Sequence, residues 1–179
     1  MYNGFNGWIR LLEDSIIRTC YRLRRRKFEA RLFASFSSAP KPGLNEIVDC
    51  TDVDCTVLRD SFLPFESTDL PDNIIEEQFC HLPLLSDKAY RYFLPAYLRC
   101  ALKEPHLSVM EFVLFSLLPN DVSDENWIAR RKGTFTEKEI DAVREFLLYV
   151  QKSKILVYDD GTDGALEFNF KRGLEMWVL

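Results

Sequence analysis

At 179 residues, with 47% hydrophobic side chains that include 14 Phe, 7 Tyr and 3 Trp, the chain has enough apolar mass for one domain and is far from a disordered composition. No apolar run approaches the ~20 residues that span a bilayer. The start, Met1-Tyr-Asn-Gly-Phe-Asn-Gly-Trp-Ile-Arg10, lacks a basic segment followed by an apolar stretch and a cleavage site, so a cytoplasmic location with no membrane partner is expected, and the net charge of −5 argues against a chain that is basic throughout.

Residues Gly7 to about Phe36 read as helical. Trp8, Leu11, Leu12, Ile16, Cys20, Leu23 and Lys27 follow an i, i+3, i+4 course, and Asn6 can cap the start. The apolar phase weakens near the arginines, which leaves one long helix or two. Ser37 to Gly43 is a breaker segment. Asp52 to Phe62 reads as a short helix with Val53, Val57, Leu58 and Phe62 on one side, or as an irregular acidic loop. Asp72 is an N-cap candidate for Asn73 to Cys80. Phe79 to Leu85 is apolar and interrupted by Pro83, and Ser86-Asp-Lys opens the next helix.

That helix holds the most particular stretch of the chain, Ala89 to Leu98. Ala89, Tyr92, Phe93, Ala96, Tyr97, Cys100 and Ala101 share a face, and Arg91 and Arg99 fall on others. Pro95 sits inside it, where proline removes one backbone hydrogen bond and kinks a helix. The helix is expected to end near Pro105. Ser108 to Leu118 is a strongly apolar helix, and Val122 to Lys132 reads mostly as loop. Thr136 and Glu139 form a capping box for a helix whose buried stripe is Ile140, Val143, Phe146, Leu147 and Val150. Beyond Ser153 the pattern changes. Ile155 to Tyr158, the turn Asp159 to Gly164, and Ala165 to Phe170 read as a β-hairpin, because Leu166, Phe168 and Phe170 alternate with Glu167 and Asn169. Met176 to Leu179 adds a short third strand.

The cysteines, Cys20, Cys50, Cys55, Cys80 and Cys100, are odd in number and spread out, which argues against a disulfide framework. Cys50 and Cys55 are separated by Thr-Asp-Val-Asp, which is neither a redox nor a zinc-knuckle spacing, and His81 and His106 are the only histidines. The cysteines read as ordinary thiols of a reducing compartment, with no metal and no cofactor.

Charge is unevenly placed. Arg18 to Arg31 carries seven cations against Glu29 alone, and Leu44 to Asp87 carries eleven carboxylates against Arg59 alone. The run Arg22, Arg24, Arg25, Arg26 and Lys27 offers nucleic-acid phosphates a basic face, though only Tyr21 and Phe28 interleave it, and a solvated or internally paired face is the plainer reading. In the acidic stretch, Asp49, Asp52, Asp54, Asp60, Glu66, Asp69, Asp72, Glu76 and Glu77 form a candidate partner-binding surface: carboxylates can mimic a phosphate backbone and occlude a basic groove. The plainer alternative is a solvated face. Neither Asp49, Asp52 and Asp54 nor the turn Asp159 to Gly164 fits an EF-hand register. Tyr90, Arg91, Tyr92, Tyr97 and Arg99 are candidates for a ligand pocket, against the alternative that the aromatics are core and the arginines snorkel. There is no GxSxG, HExxH, P-loop or GxGxxG, so an enzyme is not expected.

The segment Leu85-Ser-Asp-Lys-Ala-Tyr-Arg-Tyr-Phe-Leu-Pro-Ala96, followed by Phe135-Thr-Glu-Lys-Glu139 and Phe146-Leu147, resembles a family of bacterial proteins of unknown function. That family shares a leucine–(Ser/Thr)–x–x–Ala–(Phe/Tyr)–Arg–Tyr–(Phe/Tyr)–Leu–Pro–Ala motif and a Phe-Thr-x-x-(Glu/Gln) start to a final helix. The resemblance runs from about Ile16 to Gln151 and implies no catalytic residue. By analogy with proteins of this size and type, it suggests an immunity partner of a toxin.

Residues 1–179 are therefore expected to form one mainly α domain. A helical bundle over about 7–152 surrounds the Pro-kinked aromatic helix, and a C-terminal β-hairpin over about 154–179 makes it α+β. The expected function is a small cytoplasmic bacterial interaction protein, most concretely an immunity protein that neutralises a cognate toxin or effector through its acidic surface. The alternatives are a nucleic-acid-binding or regulatory protein using residues 22–27, and a small enzyme with an Arg/Tyr-lined pocket.

Overall fold

The computed structural model describes residues 25–103, 107–119, 122–153 and 163–178 of the chain. Arg22 and Arg24, the first part of the N-terminal helix, the first hairpin strand and its turn as far as residue 162 lie outside these residues, and Asp163 and Gly164, expected in the turn, open α8. The elements are α1 (25–35), α2 (Val53–Phe62), α3 (Asp72–Glu77), α4 (Asp87–Lys103), α5 (Leu107–Leu117), α6 (Val122–Lys132), α7 (Glu137–Ser153) and α8 (Asp163–Met176), with short 3-10 segments at Leu44–Glu46 and Phe79–Leu84.

Helix α4 is the centre. Ala89, Tyr90, Tyr92 to Leu98, Cys100 and Ala101 are all buried, so the helix is covered on nearly every side. A helix that is apolar all round belongs inside a bundle. Ser86 caps it: its Oγ accepts the Ala89 N–H at 3.1 Å and its carbonyl accepts the Tyr90 N–H at 2.8 Å. Pro95 lies mid-helix without ending it. Its missing N–H costs one ladder bond, a loss tolerable where neighbours pack the helix from all sides.

Each neighbour meets α4 through large side chains. Phe62 of α2 packs edge-on against Phe93 at 5.0 Å between ring centroids. Tyr90 meets Trp127 of α6 edge-on at 5.8 Å. Helix α1 buries Phe28 and Leu32 and stacks Phe28 on Tyr149 of α7, and Phe36, just past its end, packs against Phe135. The capping box of α7 is formed: the Thr136 N–H reaches Glu139 Oε2 at 2.6 Å and the Glu139 N–H reaches Thr136 Oγ1 at 3.4 Å. The expected stripe from Ile140 to Val150 is buried.

Two expectations are overturned. No β-strand occurs among the described residues. Ala165 to Phe170 lies in α8, and Met176 closes that helix where a third strand was expected. The alternation of Leu166, Phe168 and Phe170 hid a second course in which Leu166, Phe170, Leu174 and Trp177 recur at helical spacing. Tertiary packing selects the helical course: Phe170 and Trp177 are buried, and the Trp177 Nε1–H donates to the Leu117 carbonyl at 2.9 Å. Gly173 makes this docking close, since a Cβ there would stand 2.2 Å from Leu118 Cδ2. The second correction is Val122 to Lys132, read mostly as loop and found as α6. Asp124 and Glu125 in its first turn and Arg130, Arg131 and Lys132 in its last turn complement the helix dipole, which offsets a weak apolar stripe.

The cysteine reading is also corrected in part. Cys50 and Cys55 form a disulfide, with Cα atoms 5.9 Å apart, while Cys80 and Cys100 are free. The start of α2 folds Cys55 back onto Cys50, a proximity that residue spacing alone does not show.

Candidate functional site

The five motif residues proposed as a pocket are brought together by α4, and their polar ends meet partners within the chain. The Tyr90 hydroxyl donates to Ser116 Oγ at 3.0 Å. The Tyr97 hydroxyl reaches the Gln78 carbonyl at 3.4 Å. Arg91 Nε bonds both oxygens of Glu139 at 3.0 Å, and that carboxylate is fully buried. Tyr92 donates to Glu66, which also pairs with Lys41. Arg99 donates to the carbonyls of Thr68 and Leu70 and to Asp72, and it lies over the Phe33 ring. The motif thus fastens α4 to five other parts of the chain.

Sequence reading did not single out Arg131, yet it is the most enclosed cation described. Its guanidinium is sandwiched over Tyr90 and Trp127, at 4.1 and 4.0 Å from their centroids. It donates to the carbonyls of Pro83 and Leu85, and Asp87 lies 3.3 Å from its Nε. The only sequence signal for it is an arginine on the inner course of an otherwise charged helix, beside Ile128.

Burial shapes the titration of these groups. It pushes Tyr90 up to about 12, opposed by the nearby Arg131 charge and the Ser116 hydrogen bond. It does the same to Tyr92, reinforced by the hydrogen bond to Glu66, also to about 12. Tyr97 is raised further by burial. A tyrosine whose pKa is higher folded than unfolded contributes stability that is complete below the unfolded value, near 10, and lost as pH rises through the folded value. Tyrosinate absorbance is therefore expected to show these three hydroxyls silent through the ordinary range, with unfolding between about pH 10 and 12 releasing them together. Titration of all tyrosines near 10 in a still-folded chain would contradict the buried network. Glu66 shifts the other way, lowered first by the Tyr92 hydrogen bond and then by Lys41.

The nine acidic candidates divide. Asp72 pairs with Arg99 and Lys103, and Glu66 with Lys41 and Tyr92, so these two brace the fold. Asp52 caps α2 by accepting the Cys55 N–H at 2.8 Å. Asp60 pairs with its neighbour Arg59 at an exposed position. Asp49, Asp54, Asp69 and Glu77 are exposed, as is Glu76.

Around α2 the phase differs from the one expected. Cys55, Leu58 and Phe62 face the core, whereas Val53 is 77% and Val57 45% exposed. Those valines lie at i and i+4 on the outer face, where Asp60 continues the row and Asp54 flanks it. Leu63, just past the helix, and Leu44 are exposed too. The sequence already carried this choice of phase, because Cys55, Leu58 and Phe62 are the alternative helical set.

Of the basic run, Arg25 pairs with Glu29 and donates to the Lys103 carbonyl. Arg26 and Lys27 are exposed. Arg31 bonds Glu145 on α7. Arg25 and Arg31 thus bond α1, α4 and α7, and no ion pair among the described residues joins them to the acidic stretch. One group of potential metal ligands occurs among the described residues: Cys50, Asp52 and Cys55, whose ligand atoms lie within 4.8 Å of one another. With the two sulfurs bonded to each other, that group has no thiolate to offer.

The architecture defines a helical protein with an internally bonded aromatic hub and an exposed acidic and apolar helix. Residues 58–165, more than half of the chain, match the family of unknown function DUF6714, and the chain belongs to that family. The matched segment contains the hub, Arg131 and Glu139. Cys50, Cys55 and the first turn of α2 precede it. No curated protein and no solved structure matches the chain.

Proposed function

We propose that this chain is a small cytoplasmic bacterial interaction protein that acts by binding and not as an enzyme, with the outer face of α2 as its docking surface. The observation that carries this reading is the pair Val53 and Val57, held out of the core beside Asp54 and Asp60. Apolar side chains ringed by carboxylates suit a partner that is itself apolar at the centre and basic at the rim. In its most concrete form, the partner is a cognate toxin or effector with a basic substrate groove, and the chain is its immunity protein. The acidic face then stands in for the phosphates that the groove would otherwise bind.

The polar ends of the α4 motif are occupied within the chain, which argues against the Arg/Tyr pocket as the working site. Among the described residues of the basic run, Arg26 and Lys27 are exposed, and Phe28 beside them is buried and offers no stacking face.

The test compares capture by the tagged wild-type chain and by an Asp54→Lys/Asp60→Lys variant from lysate of the source cells, with and without nuclease. Both positions are exposed, so the variant is expected to fold. A stoichiometric protein that survives nuclease and binds the variant at least ~10-fold more weakly is the expected result. Equal capture by both chains, or capture of nucleic acid alone, would overturn the reading, the latter in favour of the α1 cations.

A further inference from the structure

We propose that Cys50 and Cys55 form a reversible redox site that locks and releases the first turn of α2. Cys55 is wholly buried in that turn, and Cys50 is half-buried on the segment leading to it. The ring closed by their disulfide contains Asp52, the residue that caps α2 through the Cys55 N–H. On the other side, the segment before Cys50 is anchored to the hub. Val48 bridges Leu85, the Ile47 carbonyl accepts the Ser86 N–H at 2.9 Å, and Arg131 holds the Leu85 carbonyl. The disulfide is thus the covalent tie between an anchored segment and the exposed start of α2.

The other described cysteines do not compete for this chemistry in the same way. Cys100 is buried, and burial pushes its thiol up to about 12, where it has little thiolate. Cys80 is exposed and free, with no described cysteine paired to it.

Reduction requires two electrons and two protons, supplied by two low-molecular-weight thiols or one protein dithiol. The attacking thiolate forms a mixed disulfide at Cys50 Sγ, the more accessible sulfur, and the Sγ–Sγ bond breaks. Cys55 leaves as a thiolate in the first turn of α2, where the helix dipole favours negative charge. A second thiolate then takes the external sulfur, freeing Cys50 and leaving the donor as its disulfide. Both protein sulfurs end as thiols. Reoxidation by a low-molecular-weight disulfide runs the same steps backwards. Because the ring is short, the bond orders its own neighbourhood more than the whole fold. Release should therefore loosen the first turn of α2 and leave α4 and α7 as they were.

This proposal stands whether or not α2 is a docking face. The full chain carrying Cys80→Ser would be equilibrated in glutathione buffers of graded ratio, alkylated and weighed, and amide hydrogen exchange followed at both ends of the series. The expected result is a single two-thiol transition within the glutathione range, with exchange over residues 53–57 faster by at least ~10-fold on reduction and unchanged in α4 and α7. A further Cys50→Ser change should give the fast exchange in every buffer. Three outcomes would overturn the proposal: thiols free at every ratio, a disulfide that resists every ratio, or exchange over 53–57 indifferent to the bond. Zn²⁺ shielding both thiols and preventing reoxidation would also overturn it, in favour of a cation site completed by Asp52.

Discussion

Replacing Glu139 by alanine is expected to lower the free energy of unfolding by about 3–5 kcal/mol, because it leaves one partner of a buried ion pair alone. Glu139 is fully enclosed, and its carboxylate serves two structures at once. It holds Arg91 through both oxygens, and it closes the capping box of α7 on the Thr136 N–H. Loss of the cap alone is worth about 1 kcal/mol. The larger share comes from Arg91, which is only 18% exposed at its side chain and would keep its charge with no carboxylate in reach. Urea unfolding measures this directly as a lower midpoint at unchanged slope. A double change, Arg91→Leu with Glu139→Leu, should recover much of the loss, since a buried pair can often be exchanged for apolar packing. A cost below about 1 kcal/mol for Glu139→Ala would mean that α4 and α7 are not joined as described.

Replacing Arg131 by alanine is expected to cost about as much, roughly 3–4 kcal/mol, for a different reason. The planar guanidinium fills the slot between Tyr90 and Trp127 and at the same time satisfies the carbonyls of Pro83 and Leu85. Alanine would leave a gap between two rings, two carbonyls without their donor, and Asp87 with Arg130 alone as counter-charge among the described residues. Arg131→Lys is the sharper test. A lysine keeps the charge but cannot lie flat between two rings while reaching both carbonyls. Lysine is therefore expected to restore less than half of the loss in urea unfolding. Full recovery by lysine would show that charge alone matters at this position.

Helices α4 and α7 were legible because their apolar faces are long and their starts are marked, by Ser86 and by the Thr136–Glu139 box. Helix α6 was not, since its inner course is Trp127, Ile128 and an arginine, and an arginine signals burial only when its partners are known. Helix α8 was misread because a three-residue alternation of Leu166, Phe168 and Phe170 fits a strand as well as a helix, and the deciding contact, Trp177 to Leu117, spans 60 positions. The acidic surface was legible as composition but not as geometry. Asp72 and Glu66 became braces because α4 presents Arg99 and Tyr92 to them, whereas Asp54 and Asp60 stayed on the outer face with two valines. The motif that looked most functional lies at the centre of the core, and the surface proposed for docking is, in the sequence, an ordinary acidic helix.

The outer face of α2 is proposed as the place where this protein meets its partner. Amide hydrogen exchange of the chain alone and bound to the protein recovered with it tests this most directly. Protection gained on binding is expected to centre on residues 52–63, with the α1 segment 25–35 unchanged. Protection over 25–35 with α2 unaffected, or spread over α4 and α7 without α2, would contradict it.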